Sequence, residues 1–537
     1  MVGGAWGALQ MGLAERGNTF GQAMPALLAL ALMASMPIDV SRAQTPAPVA
    51  PETTEGSRIE RLEQMVTTVV EENRRLAAEV LTLKEQLATR QPESPAPALP
   101  SMISLDPGSA NPAPPPPPNY WSSAVTPESI AGSPSFSGKI SDRFHVDYEN
   151  GFAILPDNLD ETPFSLRIKS QNVFRYTGFA RDASFWTDSA GRRNPIDNSN
   201  YFGIPRGRLI FSGTALLPRL TYLLNIDYNS VTSNPIGFRA YELSYRFNRA
   251  FELSIGQSKV PGSREWLESA FAPLQGPDRS MATTFFRPSL SQGVWITGQP
   301  FDGLHYHAMI SNGFNTLNLL PNRLNNRFCY SGSAWWEPWG EFGRGYSDLQ
   351  NHDESVFRLG GSYTLALGRG NQSDSDAVEN SPIRLSDGTI ITTEGALAPG
   401  VTVQTYDTSL AALDFAYKYR GLGLSTELYF QDLLNLRGNG ALPIHSTAAF
   451  GGFLQGGYFI VPQRTELYAR TSYVTGNFGA GSELAGGFNW FAVPAKDNLR
   501  FTFDAAWLDH SPAGQNRTGY VAGQTGFLLR TQITVQY

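Results

Sequence analysis

The sequence is short of several things, and each shortage closes off a class of protein. A single cysteine, Cys329, stands among 537 residues, so neither an internal disulfide framework nor a cysteine-based zinc site is open to the chain. Charged residues make up 17%, below the roughly 25% of soluble domains. The formal net charge of -7 carries none of the basic excess that marks nucleic-acid-binding surfaces, so no nucleic-acid partner is predicted. The 6 histidines are scattered and form no Ser-His-acid motif. His305 and His307 fall on one strand face, but the pattern supplies no third ligand. No catalytic residue, metal site or cofactor is predicted. Apart from one N-terminal stretch too short to serve as a permanent span, apolar runs fall well below about eighteen residues, so no helix is expected to cross a membrane.

What is plentiful is glycine, at 52 residues, and aromatic side chains, at 12%, a mixture suited to many strands and turns. Residues 1–43 read as a signal peptide: the apolar run "MPALLALALMASMP" leads to the small-x-small sequence Ser41-Arg42-Ala43, with cleavage expected after Ala43 and Met11 an alternative start. Residues 57–90 carry a heptad, with Ile59, Val66, Asn73, Val80 and Leu87 at a and Leu62, Val69, Leu76 and Leu83 at d. Such a seam needs a partner helix. Arg58 with Glu63 and Glu79 with Lys84 suit a parallel assembly, and Val70, Ala77 and Met65 widen the stripe toward a trimer, whereas Asn73 is a register device found in dimers. Residues 91–140 are proline-dense and aperiodic and read as an extended spacer. From 141 to 537 the composition is strand-like throughout.

In this last part the side chains alternate with a period of two, as they must where a strand has two different faces. Phe164, Leu166, Ile168, Phe174 and Tyr176 oppose Arg167, Lys169, Gln171, Arg175 and Thr177. Leu413, Phe415 and Tyr417 oppose Asp414 and Lys418, and at the end of the chain Phe527, Leu529, Ile533 and Tyr537 oppose Arg530, Gln532 and Gln536. Aromatics recur near strand ends on the apolar file. Apolar outside, polar inside and aromatic girdles are the requirements of a transmembrane barrel, because lipid satisfies no backbone group and only a closed sheet leaves none open. Short connections near Leu217, Asn248, Phe301, Gly421, Pro462 and Pro494 alternate with long ones at 182–200, 261–288, 313–322, 369–408, 435–445 and 510–524. The fold class is therefore all-β, a barrel of sixteen antiparallel strands from about Phe164 to Tyr537 preceded by a short coiled-coil helix, with "HVDYENGFAIL" as a lead-in. Residues 338–355 break the rule, being long where a tight turn is expected, and read as an insertion.

Several stretches together resemble the phosphate-selective porin O and P family: "YFGIPRGRLIFSGTALLPRLTYLLNIDY", "FELSIGQSKVPGSREWLESA" followed by "PDRSMATTFF", "GVWITGQP", "YRGLGLSTELYFQ" and "GGFLQGGYFIVPQRTELYARTSYV". The resemblance covers roughly 151–537. It implies a cell outer membrane location, a sixteen-stranded barrel, usually a homotrimer, that conducts small solutes, and a loop after the sixth strand folded into the lumen, here 261–288. The family's Gly-Gln-x-Lys-x-Pro segment stands at Gly256 to Pro261. The terminal strand ending on Tyr537 resembles the signal read by the outer-membrane assembly machinery.

By alternation the inward file holds Arg167, Lys169, Arg175, Arg206, Arg208, Arg246, Arg327, Arg358, Lys418, Arg470, Arg500 and Arg530 against Asp227, Glu242, Glu252, Asp414, Glu427, Glu466 and Asp504. Rings of cations favour anions. The expected pore-lining, anion-binding residues are Arg167, Lys169, Arg175, Arg206 and Arg208 on the wall and Lys259, Arg264 and Arg279 at the loop. The competing expectation is that wall cations merely pair with wall carboxylates, Arg470 with Glu466 for example. The family's arginine file and its loop lysine cluster are not reproduced: no strand reads Arg-x-Arg-x-Arg, and the loop balances its cations with Glu265, Glu268 and Asp278. The function expected is a passive diffusion channel for small hydrophilic solutes with a mild anion preference, phosphate among the candidates. The alternative is a structural tether between outer membrane and cell wall through the coiled coil, with a plugged or incidental pore.

Overall fold

The computed structural model describes residues 138–139, 141, 143–148, 151–233, 235–317, 324, 327–368 and 382–537. The expected signal peptide and coiled coil lie outside the described residues, as does the spacer apart from Gly138 and Lys139. Among the described residues sixteen strands form the wall: β4 (Leu166–Arg181), β7 (Ser199–Ala215), β8 (Leu217–Tyr228), β9 (Ile236–Asn248), β10 (Phe251–Lys259), β11 (Leu290–Phe301), β12 (Leu304–Ser311), β13 (Cys329–Trp336), β14 (Val356–Ala366), β15 (Val403–Tyr419), β16 (Leu422–Gly438), β17 (Thr447–Val461), β18 (Thr465–Gly476), β19 (Gly479–Phe491), β20 (Leu499–Asp509) and β21 (Gly526–Gln536). Each pairs antiparallel with its sequence neighbours, and β21 closes the sheet onto β4 in a register that sets Ile533 against Phe174 and Phe527 against Ala180. Closure removes the unpaired edges that an open sheet would expose.

The lead-in is a small meander, β1 (Gly138–Lys139), β2 (Phe144–Tyr148) and β3 (Phe152–Pro156). β3 pairs with Leu166 to Ile168, the part of β4 that lies just beyond the end of β21. One further hairpin, β5 (Phe185–Thr187) with β6 (Arg193–Pro195), sits in the long β4–β7 connection.

Alternation sorts the side chains as expected. On β15, Leu413 and Phe415 are 58% and 43% exposed, while Asp414 and Lys418 between and beyond them are 6% and 1% exposed. Large apolar groups thus face outward, and the polar ones are packed inside. Exposed Trp336, Trp339, Tyr458, Trp490 and Tyr537 ring the end with tight turns, and exposed Phe202, Phe238, Phe450, Trp507 and Phe527 ring the other. At the β15–β16 turn Arg420 and Gly421 both adopt positive φ, 45° and 82°, the two-residue geometry whose twist matches that of the flanking strands.

Candidate functional site

The lumen is shaped by segments that fold inward from both ends. From one end comes the connection between β10 and β11, residues 260–289, which carries two short helices, α1 (Arg264–Leu267) and α2 (Met281–Phe286). It follows the fifth wall strand, not the sixth as the family resemblance led us to expect. Ser263 and Ser280 cap the helices by accepting from the N–H of Trp266 and Thr283. α2 lies on the inner face of the wall: Phe286 stacks on Tyr429 of β16 at 5.1 Å, and the Thr283 and Tyr429 hydroxyls are 2.6 Å apart.

One carboxylate pins the middle of this loop. Asp278 is fully enclosed and accepts from Arg175 of β4 at 3.0 Å and from Arg206 of β7. Burial alone would raise its pKa, but the Arg206, Arg175 and Arg279 guanidiniums outweigh burial and hold it well below the ordinary carboxylate range. Along the rest of the loop, Arg500 donates to the Ala272 carbonyl at 3.1 Å, Asn489 to that of Gln275 at 2.8 Å, and Arg470 to that of Asp278 at 3.0 Å. The Met281 N–H donates to Glu483 at 2.9 Å. The loop is therefore fastened along the wall from β16 round to β7.

From the tight-turn end comes the insertion, residues 337–355, between β13 and β14. It folds up into the barrel. Phe342, Tyr346, Ser347 and Asp348 are buried. The Tyr346 hydroxyl donates to Glu427 at 3.1 Å, and Ser347 donates to Glu466 at 2.7 Å. Asp348 accepts from the Gly421 N–H at 2.8 Å. The insertion also meets the loop directly: the N–H groups of Tyr346 and Ser347 donate to the Pro273 carbonyl at 3.0 and 3.1 Å, and that of Gly345 donates to Glu268 at 3.1 Å. Burial would raise the Glu268 carboxyl, but Arg264 and the N–H groups of Gly345 and Ser269 prevail and hold it below its usual value.

Opposite these docked segments a cavity of about 640 Å³ remains, between the loop edge at Leu267 and Ser269 and the wall from β4 to β13. Arg167, Lys169, Arg208, Arg239, Lys259 and Arg344 line it, against two acids, Glu242 and Asp497. A second cavity of about 680 Å³, bordered by Arg246, Arg249, Glu252 and His305, shares His307 and Trp335 with the first and reaches the tight-turn end at Asn248 and Arg249. Elsewhere the wall charges pair locally, Arg530 with Asp504 at 2.6 Å and Arg358 with Asp414 at 3.3 Å. Arg470 pairs with Glu483 at 2.6 Å rather than with Glu466, which the insertion engages instead.

The expected anion-binding residues divide between two places. Arg167, Lys169, Arg208 and Lys259 border the cavity. Lys259 there donates to the carbonyls of Trp266, Leu267 and Glu268 at 2.6, 3.0 and 2.8 Å, capping α1, and Arg208 lies 3.5 Å from Asp227. Arg175 and Arg206 are instead buried under the loop on Asp278. Arg264 packs over the Tyr346 ring at 4.4 Å and Arg279 over Trp266 at 4.9 Å, both fully enclosed. Two lining cations escaped the sequence reading. Arg239 sits at a bulge, where Ile226 pairs with Phe238 but Asn225 with Ala240, so the extra residue breaks the period of two. Arg344 belongs to the aperiodic insertion. Among the described residues no group of three or more His, Cys, Asp or Glu side chains is placed to hold a metal ion.

The family model for "Phosphate-selective porin O and P" matches residues 180–537. Similar solved structures include an anion-selective porin from Comamonas acidovorans, at 12% identity over 70% of this chain and 100% of that one, with a TM-score of 0.44. A loop-deletion mutant of the outer membrane protein OmpT of Vibrio cholerae matches at 12% identity over 70% and 99%, with a TM-score of 0.43. OprB of Pseudomonas putida matches at 10% over 69% and 94%, with a TM-score of 0.42. No curated protein matches the sequence.

Proposed function

The chain belongs to the phosphate-selective porin O and P family, and on that footing we propose that this outer-membrane porin is a passive channel for small hydrophilic solutes that mildly prefers anions. The observation that carries the preference is the lining of the 640 Å³ cavity, where six cationic side chains face two acidic ones. A charge 4 Å from an ion is worth about 1 kcal/mol in water and roughly 4 kcal/mol at an effective dielectric of 20, so a cluster in a narrowed passage discriminates where a lone surface charge does not. Arg167, Lys169, Arg208 and Lys259 are the residues assigned to it. Arg175, Arg206, Arg264 and Arg279 have a different role, holding the loop in place.

Phosphate is one anion such a lining admits, without the close arginine file that would single it out. Homotrimeric assembly, and a cell-wall contact through the heptads of 57–90, belong to the same reading. The test is single-channel conductance and reversal potential in a potassium chloride gradient. A stepwise current with a reversal potential on the chloride side is expected; a cation-selective current, or none, overturns the proposal.

A further inference from the structure

The insertion 337–355 leaves the tight-turn end of the barrel and fills lumen that the constriction loop leaves empty. We propose that it is a second constriction of the channel and that Arg344, which it carries, is a selectivity-determining residue. This rests on the reading of the chain as an anion-preferring pore.

Three observations lead there. First, the backbone around Arg344 is fixed from several sides. The Lys418 ammonium donates to the Phe342 and Arg344 carbonyls at 3.2 and 3.1 Å, and Arg264 donates to the Gly345 carbonyl at 3.3 Å. The Phe342 ring is buried, with Arg264 and Lys418 over it at 4.9 and 4.4 Å. Second, the local sequence is Gly343-Arg344-Gly345, and both glycines take positive φ, 74° and 69°. A Cβ at Gly345 would meet Pro273 Cγ at 2.7 Å. The chain thus makes a sharp turn pressed against the constriction loop, a turn that side chains at 343 and 345 would oppose. Third, the one side chain in this turn is not used in the packing: Arg344 is exposed and borders the cavity with Arg167, Lys169 and Asp497. A rigid base with a charge held out into the passage is how a selectivity residue is preorganised. A solvated surface arginine would have a mobile base and no cavity in front of it.

The position also explains why the wall alone does not complete the lining. Arg167 and Lys169 approach from β4, and Arg344 borders the same space from the insertion, so an ion in this cavity meets cations from the wall and from the insertion, with Asp497 beside them. Because the cluster is solvent-connected, its influence is expected to weaken with salt.

Planar-bilayer recordings on full-length protein decide the matter. Arg344→Gln is expected to lower the chloride-to-potassium permeability ratio by roughly two-fold at ~0.1 M salt, where the Debye length is ~10 Å, and hardly at all at ~1 M, where it is ~3 Å. Arg344→Cys adds a readout of position, since the native Cys329 is buried and stays silent. A negatively charged thiosulfonate should push selectivity toward cations, and a positively charged one should restore the anion preference. If the wild type prefers anions but neither variant differs from it and neither reagent alters the current, the role of Arg344 is refuted while the anion channel stands. Should the wild type show no anion preference, the functional reading fails, and a thiosulfonate-induced change in conductance still places residue 344 in the passage; no change removes it from there.

Discussion

Asp278 is the residue on which the geometry of the passage turns. Its carboxylate is the shared counter-ion of Arg175 and Arg206, from two adjacent wall strands. Removing one member of a buried ion pair leaves the others uncompensated, at about 3–5 kcal/mol. Asp278→Asn is therefore expected to release the loop while the sixteen-stranded wall survives. In bilayers this should appear as larger, noisier currents from a barrel whose unfolding temperature matches that of the wild type; an unchanged, quiet channel would show that the carboxylate does not hold the loop. The pH dependence has a definite sign. A folded-state pKa held below the ordinary value near ~3.9 means the stabilisation is complete above that value and is lost as pH falls through the lower, folded one. The hold of Asp278 on the loop should therefore be complete from neutral pH to about 4 and weaken only in stronger acid, so any current noise that the Asp278→Asn variant shows at neutral pH should appear in the wild type only there. This role was not legible beforehand: Asp278 sits on an aperiodic loop, and nothing in the sequence distinguishes the arginines that reach it from those that border the cavity. Alternation put Arg206 and Arg208 on one face correctly, and the loop packs against both, but only Arg206 reaches Asp278; Arg208 lies under the Phe271 ring at 4.8 Å and near Asp227, at the edge of the cavity.

Elements show where sequence reading succeeds and where it stops. Strands facing lipid on one side and a packed interior on the other are written as two files, so β15 and β21 could be read residue by residue. Leu413→Arg makes the claim quantitative: a cation on the lipid face costs about 2–4 kcal/mol near the midplane of the bilayer. The expected result is a lower unfolding temperature for the extracted barrel with channel selectivity intact, and an unaffected melting profile would place Leu413 away from lipid. Inward-folded elements answer to no period. α2 is held by packing, with Phe286 on Tyr429, and Phe286→Ala forfeits about 3–5 kcal/mol of burial. That loss falls on the docking of the loop rather than on the closure of the sheet, so conductance fluctuations should rise with little change in barrel melting. The bulge at Arg239 and the turn at Gly343-Arg344-Gly345 mark the same limit, since each places a cation by a local irregularity that strand periodicity cannot anticipate.

At the scale of the whole molecule the heptads of 57–90 and the barrel make a joint statement about assembly. A parallel seam with a widened apolar stripe asks for partner copies of the same helix, and the barrels those helices carry would then stand side by side in one membrane. If three copies assemble, current through one complex has three parallel routes, and closure under high voltage should proceed in three equal steps. Cross-linking of intact membranes should give a species three times the monomer mass. Deleting 57–90 separates the two contributions. Should triplets persist without the heptads, the barrels hold one another and the helices serve another purpose, such as contact with the cell wall. Triplets that collapse to single steps, with conductance per step and anion preference unchanged, would make the coiled coil the assembly device and the monomer the conducting unit. Cross-linking to dimer alone, or single steps in the intact protein, would reject the trimer and return Asn73 to its other reading as a two-stranded register residue.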